Sequence, residues 1–262
     1  PPFPGRGRAL AETGILLRPP AAICRPTMPQ ISDAITYPTE HDDWVKTILI
    51  GGVLSAFGFL LLPLFPVYGY VVRVIRHTLD GDPRPPTFSD WEELALDGAK
   101  AFLVGAVYML VPGIVGAVTI GGSILALATG TRGGAATGIA GLVVGGLLTA
   151  VLSLVFGYVA VAAVVAFADE RRVAAAFDLD VLKPVVRSGA YATAWAVSVA
   201  VFLAASVLVG VLNGVPILGA VVGAFVFFYA QVVAARLWAG GYADARTDAD
   251  GTTRPDVDES VA

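Results

Sequence analysis

The sequence predicts an all-α fold: a polytopic transmembrane helix bundle of about five spans, with short interfacial helices in its cytoplasmic loops. Of its 262 residues, 56% are hydrophobic and 15% charged, and mean hydropathy is +0.75, whereas soluble domains carry about a quarter charged residues. The charges are also segregated. Residues 47–72, 101–128, 139–168 and 190–212 contain no Asp, Glu, Lys, Arg or His. A hydrocarbon core of about 30 Å takes roughly 20 apolar residues of helix, and each of these runs is longer.

Residues 1–27 are rich in Pro and Arg, lack the long apolar region of a secretory signal, and precede Met28, which reads naturally as a beginning. They are expected to be a non-native or disordered leader, followed by a polar segment at 28–46. The first span, 47–72, is interrupted by Pro63 and Pro66, and proline kinks or breaks a helix. It reads either as one kinked crossing or as two short membrane segments joined at the prolines, six in all. Its length corresponds to about 39 Å of helix, which favours one tilted crossing; the alternative would bring the N-terminus and Lys46 inside.

In the charged connection 73–99, "DGDPRPP" cannot continue a helix. "SDWE" then offers a capping box with Ser89 as N-cap and Glu92 three residues on. The spacing predicts a short amphipathic helix at the interface, with Trp91, Leu94 and Ala95 on one face, before the second span, 100–128. Trp44 and Trp91 suit headgroup depth. A flexible connection, "TGTRGGAATG", leads to the third span, 139–168, and a polar loop, 169–188, to the fourth, 189–212. The turn "NGVP" joins this to a fifth, 216–238. The transmembrane domain is thus 47–239, and the acidic, aperiodic tail 240–262 is expected to be disordered.

With five spans, the cations of both long loops and the tail share one side. Only Lys46, Arg132 and the leader's arginines lie on the other. The positive-inside rule then places the protein in the cell membrane with long loops and tail cytoplasmic and the N-terminus outside.

Arg73, Arg76, His77 and Asp80 follow one helical face at i, i+3, i+4 and i+7. They read as a lipid-phosphate site or as ordinary anchoring with a His77–Asp80 hydrogen bond. Arg171 and Arg172, in "DERR", are a second instance. Gly141 and Gly145, Gly219 and Gly223, and Gly134 and Gly138 have the spacing of close helix contacts or a dimer face.

Chemistry is poorly represented. Cys24 is the single cysteine, and His41 and His77 fall on opposite sides, so neither a multi-cysteine metal site nor a histidine dyad is supported. No glycine cluster precedes Lys-Ser/Thr as in a nucleotide loop, and the charge-free cores argue against a proton-coupled pump. No catalytic residue, metal or cofactor is expected. The resulting expectation is a non-enzymatic integral membrane protein whose cytoplasmic loops engage the lipid surface or a protein partner. The rival is a permease component or passive small-solute channel, with helices broken at Pro112 and Pro216 and a cavity lined by Ser123, Asn213 or Gln231. Implied partners are membrane lipids and a second copy or another membrane protein; nucleic acid is not implied.

An internal echo is visible. "YGYVV" at 68–72 parallels "FGYVA" at 156–160, and each is followed at similar distance by Phe88 or Phe177, a polar stretch and another span. Span–loop–span is the duplicated unit this suggests.

Gly69-Tyr70 with Arg73, the Gly81-Asp82 turn, Pro85-Pro86 to Trp91, and Asp97-Gly98 carry a family resemblance. Over about residues 36–243 the sequence resembles the multi-pass membrane proteins, abundant in archaea, of domain-of-unknown-function family 4013. The resemblance implies an integral membrane protein, with no activity, ligand or catalytic residue to transfer.

Overall fold

Three of the four charge-free runs, 101–128, 139–168 and 190–212, lie in long helices with many apolar side chains exposed. The computed structural model describes residues 31–40, 43–214 and 216–252; the expected leader, His41 and the tail beyond Thr252 lie outside the described residues. A short helix α1 (Ile31–Thr36) and a single 3-10 turn precede α2 (Trp44–Ala56) and α3 (Leu64–Leu79). Then come α4 (Trp91–Ala128), α5 (Arg132–Glu170), α6 (Leu179–Arg187), α7 (Gly189–Leu212) and α8 (Pro216–Thr252). No strand occurs among the described residues.

Four helices are long and apolar enough to cross a membrane: α4, α5, α7 and α8. Only 11% of the most apolar window of α7 and 17% of that of α4 is buried within the protein. Val211, Leu125 and Val118 are about 70% or more exposed. A water-soluble fold buries such residues, and an apolar surface this extensive in water would drive association. Hydrocarbon is the solvent that fits it.

The first expected span is not one helix. α2 ends at Ala56, a 3-10 turn covers Gly58–Leu60, Leu61 takes φ +63°, and α3 begins after Pro63. The chain reverses there: α2 and α3 both pack on α8, so 47–72 forms a hairpin of two short helices rather than a kinked crossing. At 1.5 Å per residue, α2 is only about 20 Å long. Gly51 and Gly52 seat it against the Phe228 and Phe225 rings of α8, where any Cβ would enter the ring space.

The hairpin returns the chain to the end where it started. Tyr37 is fully buried and donates its hydroxyl to the Arg84 carbonyl (3.3 Å), and the Arg236 guanidinium lies 4.1 Å over its ring. The Tyr229 hydroxyl bonds the Ile35 carbonyl. The N-terminal segment therefore lies at the same end as both long loops and the end of α8. That replaces the expectation that it faces the opposite side. Burial pushes the Tyr37 hydroxyl up to about 12 against the opposing Arg236 charge. The folded protein therefore keeps this donor proton beyond pH 10, where an exposed tyrosine loses it, and the stability it contributes falls as pH rises from 10 to about 12.

Three further boundaries differ from expectation. The interfacial helix and the second span are one helix, α4. Ser89 is not its N-cap: Asp90 holds that position in a left-handed conformation, and the Ser89 hydroxyl and carbonyl accept from Arg73 (3.1 and 2.9 Å). The connection at 129–138 is a tight turn at Thr129–Thr131, with Gly130 at φ +66° and the Thr131 hydroxyl accepting from Gly134 N (2.9 Å) to cap α5. α8 continues past 238 as helix to Thr252, so the first part of the expected disordered tail is ordered. Tyr242 and Ala245 are buried there, and Arg246 reaches Tyr242 (3.2 Å) and Asp169 (4.0 Å).

α4 passes through Pro112 as helix, without the break required by the channel reading. The six glycines expected at helix contacts all face neighbours within the chain, Gly134 and Gly138 among them at the α4–α5 turn. A Cβ on Gly145 would lie 2.6 Å from Thr119, one on Gly223 2.9 Å from Val209, one on Gly219 2.6 Å from Asn213, and one on Gly141 would meet the Ser123 hydroxyl. They close α4 on α5 and α7 on α8, which accounts for them without a dimer face.

Candidate functional site

The charged residues singled out in sequence meet where α3, α4 and the end of α5 converge. Basic residues in the last turns of α3 oppose its C-terminal dipole, and the chain following Gly81 (φ +77°) folds back alongside them. Arg73 donates through Nη1 to the Thr87 carbonyl (3.2 Å) and to Ser89, and its Nη2 lies 3.9 Å from Glu93. Its fork binds the loop.

Arg76 is turned further inward. Its Nη1 pairs with Asp97 of α4, its Nε donates to the Ala168 carbonyl of α5 (3.2 Å), and the guanidinium stands 5.8 Å from the Phe167 ring centre. Arg76 and Asp97 side chains are each 12% exposed, and Lys100 adds a second cation at 3.4 Å from Asp97. One guanidinium thus joins three helices. This local balance explains how the charges tolerate burial: each has an opposite charge or a carbonyl as partner.

His77 does not bond Asp80 as expected. Its Nδ1 lies 3.5 Å from Asp82, close enough for an ion pair but without hydrogen-bond geometry. Arg171 caps α5 in a left-handed conformation and lines, with Arg73, Arg76 and His77, a polar cleft of about 370 Å³. Asp80, Asp90 and Glu93 line it as well, so the cleft is mixed in charge and does not present the cationic surface that a phosphate would select. Arg172 lies outside it, paired with Glu170 at 2.5 Å.

Trp91 is half exposed and stacks on Phe88 (5.7 Å between centroids), which stacks on Tyr70 (4.4 Å). Trp44 is 41% exposed at the start of α2. Tyr70, in turn, donates to the Pro86 carbonyl at 3.1 Å. At the matched position of the echo, Tyr158 donates to the Val186 carbonyl at 2.9 Å. Both long loops are therefore pinned by an equivalent tyrosine, which supports the duplicated span–loop–span unit. Tyr70→Phe should lower stability by about 1–2 kcal/mol, the usual consequence of orphaning a buried acceptor; thermal unfolding in detergent measures it.

The sequence reading missed the contact that holds this region together. A Cβ at Gly69 would strike the Leu94 carbonyl, and one at Gly98 the Phe65 carbonyl and the Gly69 nitrogen. The two glycines let α3 and α4 touch backbone to backbone. Both lay within the residues of the family resemblance, but neither has a GxxxG partner to flag it.

No group of three or more metal-ligating side chains occurs among the described residues. A bundle of long, outwardly apolar helices with its charges gathered at one end defines an integral membrane protein. The family described as "Protein of unknown function (DUF4013)" matches residues 50–214, and the chain belongs to it. No curated protein and no solved structure matches the chain.

Proposed function

We propose that the protein is a non-enzymatic membrane component whose loop-bearing end faces the cytoplasm and engages the anionic lipid surface there. The observation carrying this reading is α6. Leu182 and Val185 bury one face of the helix, while Lys183 and Arg187 are exposed beside Leu179, which is 75% exposed, and Phe177. Exposed apolar residues flanked by free cations suit a helix lying at headgroup depth. Orientation is supported by the cations: among the described residues only Arg132 lies at the opposite end.

Of the cations the sequence brought forward, only Arg171 is carried into this reading; Lys183 and Arg187 are added by the structure. Arg73 and Arg76 are committed to the protein interior; Lys183, Arg187 and Arg171 remain exposed, as do Lys46 and Arg84 at the same end. Lys183→Gln with Arg187→Gln should weaken retention of anionic lipid about thirtyfold, from roughly 1 kcal/mol per cation near a charged surface, with little change in melting temperature. Native mass spectrometry of the reconstituted protein, counting anionic against zwitterionic adducts, tests this. Equal retention by wild type and double variant would contradict it.

The channel reading gains one of its three named residues. Gln231 lines a cavity, but Ser123 bonds back to the Thr119 carbonyl (2.6 Å) against α5 and Asn213 ends α7. The channel reading therefore rests on Gln231 alone, without the helix break at Pro112.

A further inference from the structure

We infer that the cavity between α3, α4, α5, α7 and α8 is a binding site for a single hydrocarbon chain ending in an uncharged hydroxyl or carbonyl group. The cavity measures about 570 Å³, within the roughly 300–1,000 Å³ of small-molecule pockets. With each heavy atom at about the 30 Å³ of a liquid water, it holds roughly twenty, enough for one chain and too few for two. Ala101, Gly105 and Ala106 of α4, small residues that leave a trough, line it together with Val164 of α5 and Phe202 of α7. Nothing lies within 4 Å of a Cβ built on Gly105, so the space is real room rather than a packing contact.

Two polar groups face this apolar space. Among the described residues, neither the Gln231 amide nor the Tyr68 hydroxyl makes a hydrogen bond, and both residues line the cavity. The third polar lining group, the Trp238 N–H, is already committed to Ser198 at 2.8 Å. In a pocket half open at membrane level, an unpartnered amide and hydroxyl meet hydrocarbon rather than water and carry a desolvation cost, which a ligand oxygen would relieve. An amide both donates and accepts, and a phenol donates, so a hydroxyl or carbonyl head matches them. No charged residue lines the cavity, so a carboxylate or phosphate head would enter without a counter-charge.

The full-length protein in lipid nanodiscs is labelled with a photoactivatable diazirine analogue of hexadecanol, and labelled peptides are mapped and quantified. Wild type should be labelled on α4 and α8 around Gly105 and Gln231, with excess hexadecanol competing and hexadecane and hexadecylammonium competing poorly. Gly105→Phe fills the trough and should abolish that labelling. Gln231→Leu keeps the shape and should weaken it about fivefold, as for one lost neutral hydrogen bond. Melting temperature shows that each variant is folded; should Gly105→Phe fail to fold, Ala106→Leu replaces it. Labelling spread over the outer faces of α4 and α7, equal labelling of the filled variant, or equal competition by hexadecane would overturn the inference.

Discussion

Arg76→Ala should be among the most damaging single substitutions in the protein, lowering stability by about 3–5 kcal/mol, as breaking a buried ion pair does. It would strand Asp97, whose side chain is 12% exposed, with only the more exposed Lys100 at 3.4 Å as counter-charge. It would also remove the donor to the Ala168 carbonyl and so loosen the end of α5. Removing both charges together, as Arg76→Met with Asp97→Leu, should recover much of the loss, because no unpaired charge remains. Equilibrium unfolding in mixed micelles measures the ranking. If the double variant were as unstable as Arg76→Ala, the pairing would not be the cause. Arg73→Gln should matter less, since the Arg73 guanidinium holds a loop rather than three helices.

Gly98→Leu should be comparably severe, with a loss of at least about 3 kcal/mol, at the upper end of overpacking. The obstacle is the Phe65 carbonyl and the Gly69 nitrogen, backbone atoms that no rotamer change can clear. α3 and α4 would have to separate, breaking the Arg76–Asp97 pair with them. Gly105→Ala is the control on the same helix: its Cβ meets open space, and the lower helix cost of alanine should stabilise by about 0.5–1 kcal/mol. Loss of stability in both variants would show a general intolerance of α4 rather than a close backbone approach. Helical content by circular dichroism and the midpoint of thermal unfolding distinguish these outcomes.

The parts of the fold that were legible in sequence are those governed by hydrocarbon. A charge-free run of more than 20 residues has one stable answer in lipid, and α7 matches its expected bounds of 189–212. What escaped were features decided by tertiary contact. Length arithmetic made 47–72 a single crossing, yet Gly51 and Gly52 let α2 lie on the α8 aromatics and Leu61 turns the chain back. Composition made residues 240–262 a loose tail, yet Tyr242 and Ala245 repeat the spacing of the buried face of α8, which continues to Thr252.

The charged site shows the same division. Clustering of Arg73, Arg76 and His77 was visible in one segment, but their partners Ser89, Asp97 and Asp82 depend on how the following chain folds back. A capping-box pattern pointed to Ser89 as a cap because local sequence does not reveal that Arg73 competes for the same oxygen. The amphipathic helix was sought before the second span. α6, in the other long loop, is the free-standing one.

The central claim is that four helices cross the membrane while the α2–α3 hairpin enters and returns, so that the N-terminal segment and the end of α8 share a side. Single cysteines at Ser32, Thr131, Asp178, Asn213 and Asp248, in a chain with Cys24 replaced by Ser, can be probed with a membrane-impermeant maleimide in intact and permeabilised cells. The account predicts that Ser32→Cys, Asp178→Cys and Asp248→Cys react only after permeabilisation, while Thr131→Cys and Asn213→Cys react in intact cells. Labelling of Ser32→Cys from the side opposite Asp248→Cys would restore a fifth crossing and contradict it.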